Sequence, residues 1–119
     1  MKNIVIMGST GSIGTQSLDV ISKHKSHKVA GLTCHSNADL LFEQTIKYSP
    51  DFVAIDVIDS SHSLFNLCKK NNIELITGSD SSSNIPFNGL DLAINAIVGT
   101  PGLQPTIELV KNGVDIALS

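Results

Sequence analysis

The stretch "IVIMGSTGSIGTQSLDVI", Ile4 to Ile21, decides how the chain is read. Its first four residues form an unbroken apolar run, which predicts a short strand buried on both faces. Glycine then occurs at 8, 11 and 14, and Ser12 to His24 has helical period, with Ile13, Ser17, Leu18 and Ile21 on one face. Each glycine has its own physical reason. Gly8 lets the backbone turn tightly out of the strand, Gly11 leaves room for a phosphate that would otherwise meet a Cβ, and Gly14 lets the helix sit close to the sheet. The first amides of a helix are unpaired and carry the positive end of its dipole, so an anion is stabilised there. Ser9, Thr10 and Ser12 add hydroxyl donors around the same point. No lysine follows in the Walker spacing, so the turn points to a dinucleotide rather than a triphosphate. A tight turn with no ligand is the plain alternative. The strand-turn-helix context at the head of an alternating chain favours the dinucleotide.

That alternation continues downstream. Lys28–Cys34 reads as strand two, and Asn37–Tyr48 as helix two, opened by Ser36 with Asp39 three residues later and stopped before Pro50. Phe52–Asp56 is strand three, and Ser60–Asn71 is a helix with Leu64, Leu67 and Cys68 on one side. Ile73–Thr77 is strand four, followed by a serine-rich loop from Gly78 to Gly89. Asp91–Val98 is strand five, Pro101–Asn112 a helix with Leu103, Ile107 and Val110 inward and Gly113 as its cap, and "VDIALS" strand six. Strands alternating with helices predict an α/β fold, a Rossmann-like doubly wound, mainly parallel sheet of about six strands with helices on both faces. In such sheets the chemistry sits just beyond the strands' carboxyl ends. The sixth strand has no loop after it, so residues 1–119 are expected to be a fragment, an N-terminal dinucleotide-binding domain.

The end of strand two gives the second test of a dinucleotide site. An acid there would accept hydrogen bonds from an adenosine ribose, whereas a basic residue would favour a 2′-phosphate. The chain has "CHSN", Cys34 to Asn37, in which His35, Ser36 and Asn37 are donors and no acid repels a phosphate. The expectation is NADP rather than NAD. Ser36 acting only as a helix cap is the plain alternative.

Composition narrows the rest. The 119 residues fit one domain, and 41% hydrophobic residues supply a core. Only 16% are charged, which predicts that part of the surface is normally covered. A formal net charge of -3 gives no footprint for nucleic acid, and the lysine-rich Lys23–Lys28 run is a solvated turn. No apolar run reaches membrane-spanning length, and the N-terminus starts a strand at once, so the expected setting is cytoplasmic, or a plastid-type organelle after removal of a leader. Cys34 and Cys68 have no paired spacing and read as reduced, partly buried thiols. His24 and His27 belong to a solvated loop rather than a metal site, and His62 to the surface. Ser12 lacks a local base for nucleophilic work. Asp56, Asp91 and Asp115 read as strand-end or solvent-facing, so no metal ligand and no catalytic group is assigned to this chain.

Two segments carry a family resemblance. "GSTGSIGTQSLDVI" (Gly8 to Ile21) resembles the N-terminal signature of 1-deoxy-D-xylulose 5-phosphate reductoisomerase, and "INAIVGTPGLQPTIELVKNG" (Ile94 to Gly113) is similar to its later one. "KYSPDFVAIDV" (Lys47 to Val57) is in the same style, and the resemblance spans essentially the whole chain. It implies an NADPH-dependent oxidoreductase and isomerase that uses Mg2+ or Mn2+. The enzyme rearranges a phosphosugar and reduces it to 2-C-methyl-D-erythritol 4-phosphate for non-mevalonate isoprenoid biosynthesis, as a homodimer when complete. Carried over by position, the cofactor contacts fall on Gly8, Thr10, Gly11, Ser12 and Ile13, then His35, Ser36 and Asn37, and near the nicotinamide on Ala96 and Ile97. Many members carry Lys where this chain has Ser36. The family's metal-binding carboxylates come after "IALS" and are absent, so the 119 residues are expected to be inactive alone. The alternatives are the N-terminal domain of another NAD(P)-dependent dehydrogenase and a non-catalytic dinucleotide-sensing domain.

Overall fold

Ile4, Val5, Ile6 and Met7 are all fully buried, Ile4 and Ile6 on one face of their strand and Val5 and Met7 on the other. A strand covered on both faces must lie at the centre of its sheet, and the rest of the fold is arranged around this one. The computed structural model describes residues 1–97 and 103–118. The elements are β1 (Lys2–Met7), α1 (Ser12–Ser22), β2 (His27–Cys34), α2 (Ala38–Tyr48), β3 (Phe52–Ile55), α3 (Leu64–Lys70), β4 (Glu74–Thr77), a 3-10 turn (Ser81–Ser83), β5 (Leu92–Asn95), α4 (Leu103–Lys111) and β6 (Asp115–Leu118). The six strands run in the order β4-β3-β2-β1-β5-β6, and every pairing is parallel.

The predicted doubly wound α/β architecture is therefore present. Leu18 of α1, Ala38 and Leu41 of α2, and Leu64 and Cys68 of α3 pack with Ile4, Ile6, Leu32 and Ile55 on one face. Leu109 of α4 and Ile85 from the segment after β4 pack with Val5, Met7, Ala54 and Ala93 on the other. Each fully buried Leu, Ile, Val or Met among them contributes about 1.5–3 kcal/mol as an upper bound. The winding reverses beside β1: β2 lies on one side of it and β5 on the other. That reversal opens a crevice at the carboxyl ends of β1 and β5.

Several local expectations change. Asn37, not Ser36, caps α2, its side chain accepting from the Leu40 amide at 3.2 Å. Helix α3 begins at Leu64 rather than Ser60, because Asp59 takes the Ser61 amide and hydroxyl and turns the chain first. In α1, Ile13 is 45% exposed, and the buried positions are Gly14 and Leu18. In α4, Ile107 and Val110 face solvent and Leu109 is buried, so the inward stripe runs through Pro105 and Leu109. Helical period is shared by every face of such a segment, and only the sheet beneath it selects one. The expected boundaries at Val98 and Pro101, the side chain of Leu103 and residue Ser119 lie outside the described residues.

Candidate functional site

The glycine-rich turn is held from below. Gly8 has φ +76°, and the amides of Gly8 and Ser9 both donate to the Thr33 carbonyl at 2.9 Å. Ser9 is fully buried; its hydroxyl donates to Gln44 Oε1 at 2.9 Å, and Gln44 Nε2 donates back to the Ser9 carbonyl at 2.8 Å. Ser9 is thus a strut between the turn and α2, not the expected phosphate donor. Replacing Gln44 with leucine would strand the buried Ser9 hydroxyl and leave its carbonyl only the Thr15 hydroxyl at 3.4 Å, and should cost about 2 kcal/mol of stability, read as a lower melting temperature.

Above that strut the backbone is open. Gly11 is the N-cap of α1 with φ −79° and ψ 174°, and neither a side-chain cap nor an acidic residue occupies the first turn. Helix α2, by contrast, has both Asn37 as cap and Asp39 in its first turn. The amides of Ser12 and Ile13 precede the first intrahelical bond, from Thr15 N to Gly11 O, so they lack a partner in the helix ladder and suit an anion. A Cβ built on Gly11 meets only the Gly8 carbonyl oxygen, at 3.6 Å. Packing does not demand glycine there, and the space beside it is open. Gly14 differs, because its Cβ would lie 1.9 Å from the Gly8 carbonyl oxygen. The close approach it permits is to the turn itself rather than to the strands.

A cleft of about 390 Å³ lies over this turn at the carboxyl ends of β1, β2, β3 and β5. It brings together Gly8, Thr10, Gly11, His35, Ala96 and Ile97 from the expected set. Ser36 and Asn37 line an adjoining depression with Val57, Ile58 and His62, while Ser12 and Ile13 stand exposed on the first turn of α1. The β5 turn is fixed by Asn95, whose Nδ2 donates to Thr106 and whose Oδ1 accepts from the Ile97 amide. A cleft of about 450 Å³ lined by Thr45, Asp51, Leu67 and Ile73 lies instead at the amino ends of β3 and β4, away from the switch point.

The residues missed from sequence are Cys34, Asp56, Asp80, Ser82 and Ser83, with Pro105 from α4. Asp56 is the most informative, because it is neither solvent-facing nor idle. Its Oδ1 accepts from the Ser81 amide and hydroxyl at 3.1 and 2.7 Å, and its Oδ2 lies 3.1 Å from His35 Nδ1. One carboxylate so ties the ends of β2 and β3 to the serine turn. Cys34 and Cys68 are free and buried; burial pushes the Cys34 thiol up to about 12, against the lowering effect of the Thr10 hydroxyl. That thiol is an inert wall of the cleft. His62 is also not simply a surface residue: its Nδ1 accepts from the Leu64 amide and its Nε2 bonds Asp39, so it bridges α3 to α2.

The family model for 1-deoxy-D-xylulose 5-phosphate reductoisomerase matches residues 4–119. The chain is 41% identical over 120 residues to the reductoisomerase of Thermoanaerobacter pseudethanolicus, covering 100% of this chain and 31% of that protein. It is 42% identical over 123 residues to that of Elusimicrobium minutum, again covering 31% of the relative. Among solved structures, a DOX-P reductoisomerase in complex with NADPH, fosmidomycin and magnesium superposes with a TM-score of 0.84 at 25% identity, over 98% of this chain and 29% of the other. The Zymomonas mobilis enzyme in complex with NADPH gives 0.81 at 28% identity, over 99% and 31%. The chain thus spans about a third of the length of its relatives. With both signatures, the winding and the crevice in agreement, the chain belongs to the 1-deoxy-D-xylulose 5-phosphate reductoisomerase family.

Proposed function

We propose that residues 1–119 are the NADPH-binding domain of an enzyme that converts 1-deoxy-D-xylulose 5-phosphate to 2-C-methyl-D-erythritol 4-phosphate, a homodimer when complete. The observation that carries this reading is the uncapped start of α1 beneath a glycine that packing does not require. NADPH, when bound, supplies the hydride for the reductive step. The chain's part is to bind and orient it. The Ser12 and Ile13 amides hold the diphosphate, Gly8 and Gly11 keep side chains out of its path, and Thr10 adds a hydroxyl. His35, Ser36 and Asn37 receive the adenosine end. Ala96 and Ile97 would flank the nicotinamide, on a turn that the Asn95 bonds to Thr106 and the Ile97 amide hold in place.

The magnesium in the neighbouring structures has no counterpart ligand set here. Among the described residues no group of three or more His, Cys, Asp or Glu side chains is placed to hold a metal ion. We assign the metal and phosphosugar contacts to parts of the enzyme beyond these residues. No helix among the described residues is long and apolar enough to cross a membrane. The formal net charge of -3 offers no basic footprint for nucleic acid, and the bacterial relatives favour a cytoplasmic setting. Calorimetric titration of the chain with NADPH and with NADH tests the reading. NADPH should bind more tightly; tighter NADH would overturn the NADP assignment, and no binding of either would overturn the dinucleotide site.

A further inference from the structure

The lysines of this chain are distributed by the winding of the fold. Lys2 opens β1; Lys23, Lys25 and Lys28 lie between α1 and the start of β2; Lys47, Lys69, Lys70 and Lys111 sit in the last turns of α2, α3 and α4. Helices in a parallel sheet run back against the strands, so all eight lysines gather at the sheet's amino-terminal end. There is no arginine. From these residues a dinucleotide at the carboxyl ends would thus meet no Lys or Arg, although a 2′-phosphate at the end of β2 calls for a cation.

Two histidines are at hand, and one is already committed. His62 has both ring nitrogens engaged, Nδ1 by the Leu64 amide and Nε2 by Asp39. His35, with a side chain 76% exposed, uses only Nδ1, toward Asp56. Because Asp56 is a carboxylate already fixed by two bonds from Ser81, Nδ1 must be the donor and Nε2 is left for a ligand. In the neutral ring that Nε2 is an acceptor. It suits a ribose 2′-hydroxyl and opposes phosphate oxygens; a second proton makes it a charged donor. The other ionisable groups around it are the acids Asp80 in the cleft wall, Asp39 and Asp59 beside the adjoining depression, and the Cys34 thiol. None can stand in as a cation.

We propose that His35, oriented by Asp56, is the specificity-determining cation for the 2′-phosphate, so that NADPH binds with uptake of a proton and NADH does not. This rests on the dinucleotide reading of the cleft. By linkage, preference for NADPH rises as pH falls through the neutral range. The experiment is isothermal titration near about pH 7.5 in buffers of different ionisation enthalpy. NADPH should take up about half to one proton more than NADH. His35→Gln should abolish that difference and lower the NADPH-to-NADH preference about tenfold. Asp56→Asn should reduce the proton uptake, since it keeps an acceptor for Ser81 and removes the charge. Equal proton counts for the two dinucleotides, or a difference that survives His35→Gln, would overturn this inference and leave the NADPH site standing. Failure of both dinucleotides to bind would overturn the two together.

Discussion

Gly11→Val should leave the chain folded and remove dinucleotide binding, with affinity falling by more than about a hundredfold, or about 2.7 kcal/mol. The backbone at Gly11 is extended, with φ −79° and ψ 174°, a region valine accepts readily. Its Cβ would make ordinary contact with the Gly8 carbonyl oxygen at 3.6 Å and nothing else. The folding cost is confined to a poorer N-cap, about 1 kcal/mol. The added methyl groups would lie where the diphosphate is assigned. Circular dichroism and titration together decide the matter. A folded variant that binds NADPH as the parent does would mean the turn is structural only.

Gly14→Ala, three residues on, should do the reverse and strike stability. Helix propensity alone predicts a gain of about 1 kcal/mol from this change. The tertiary structure opposes it, because the new Cβ would lie 1.9 Å from the Gly8 carbonyl oxygen, 2.8 Å from its carbon and 2.9 Å from the Ser9 Cα. All three are backbone atoms of a turn pinned by Thr33 and Gln44, so none can swing aside as a flexible side chain would. The helix must move outward instead, opening the Leu18 contacts. A net loss of about 3 kcal/mol, seen as a melting temperature lower by roughly 10 °C, is expected. An unchanged or higher melting temperature would show that α1 does not approach the turn this closely.

These two glycines show what kinds of information the chain carries in its order of residues. The apolar run at Ile4–Met7, the glycines at 8, 11 and 14 and the strand-helix alternation identify a parallel sheet with a glycine-rich turn after its first strand. They do so because period and turn chemistry are local properties. Gly8, Thr10, Gly11, His35, Ala96 and Ile97 are picked out for the same reason, through motif positions, and the structure places them around one cleft. Asp56 and the serine turn were not. Their role depends on a carboxylate at the end of β3 meeting Ser81, 25 residues away, and His35, 21 residues away. No short-range pattern encodes such meetings. Ser9 misled for a related reason: its hydroxyl is chemically suited to phosphate, but Gln44, 35 residues on, claims it first.

Sequence by itself determined the class of fold and the location of the first turn with its open helix start, since backbone conformation and dipole alignment follow from neighbouring residues. The three-dimensional packing alone decided which helix faces are buried, which of the hydroxyls stay available, and that every lysine is carried away from the cleft. Those outcomes depend on the winding of the sheet, which sets helices antiparallel to strands and brings distant side chains within hydrogen-bonding range.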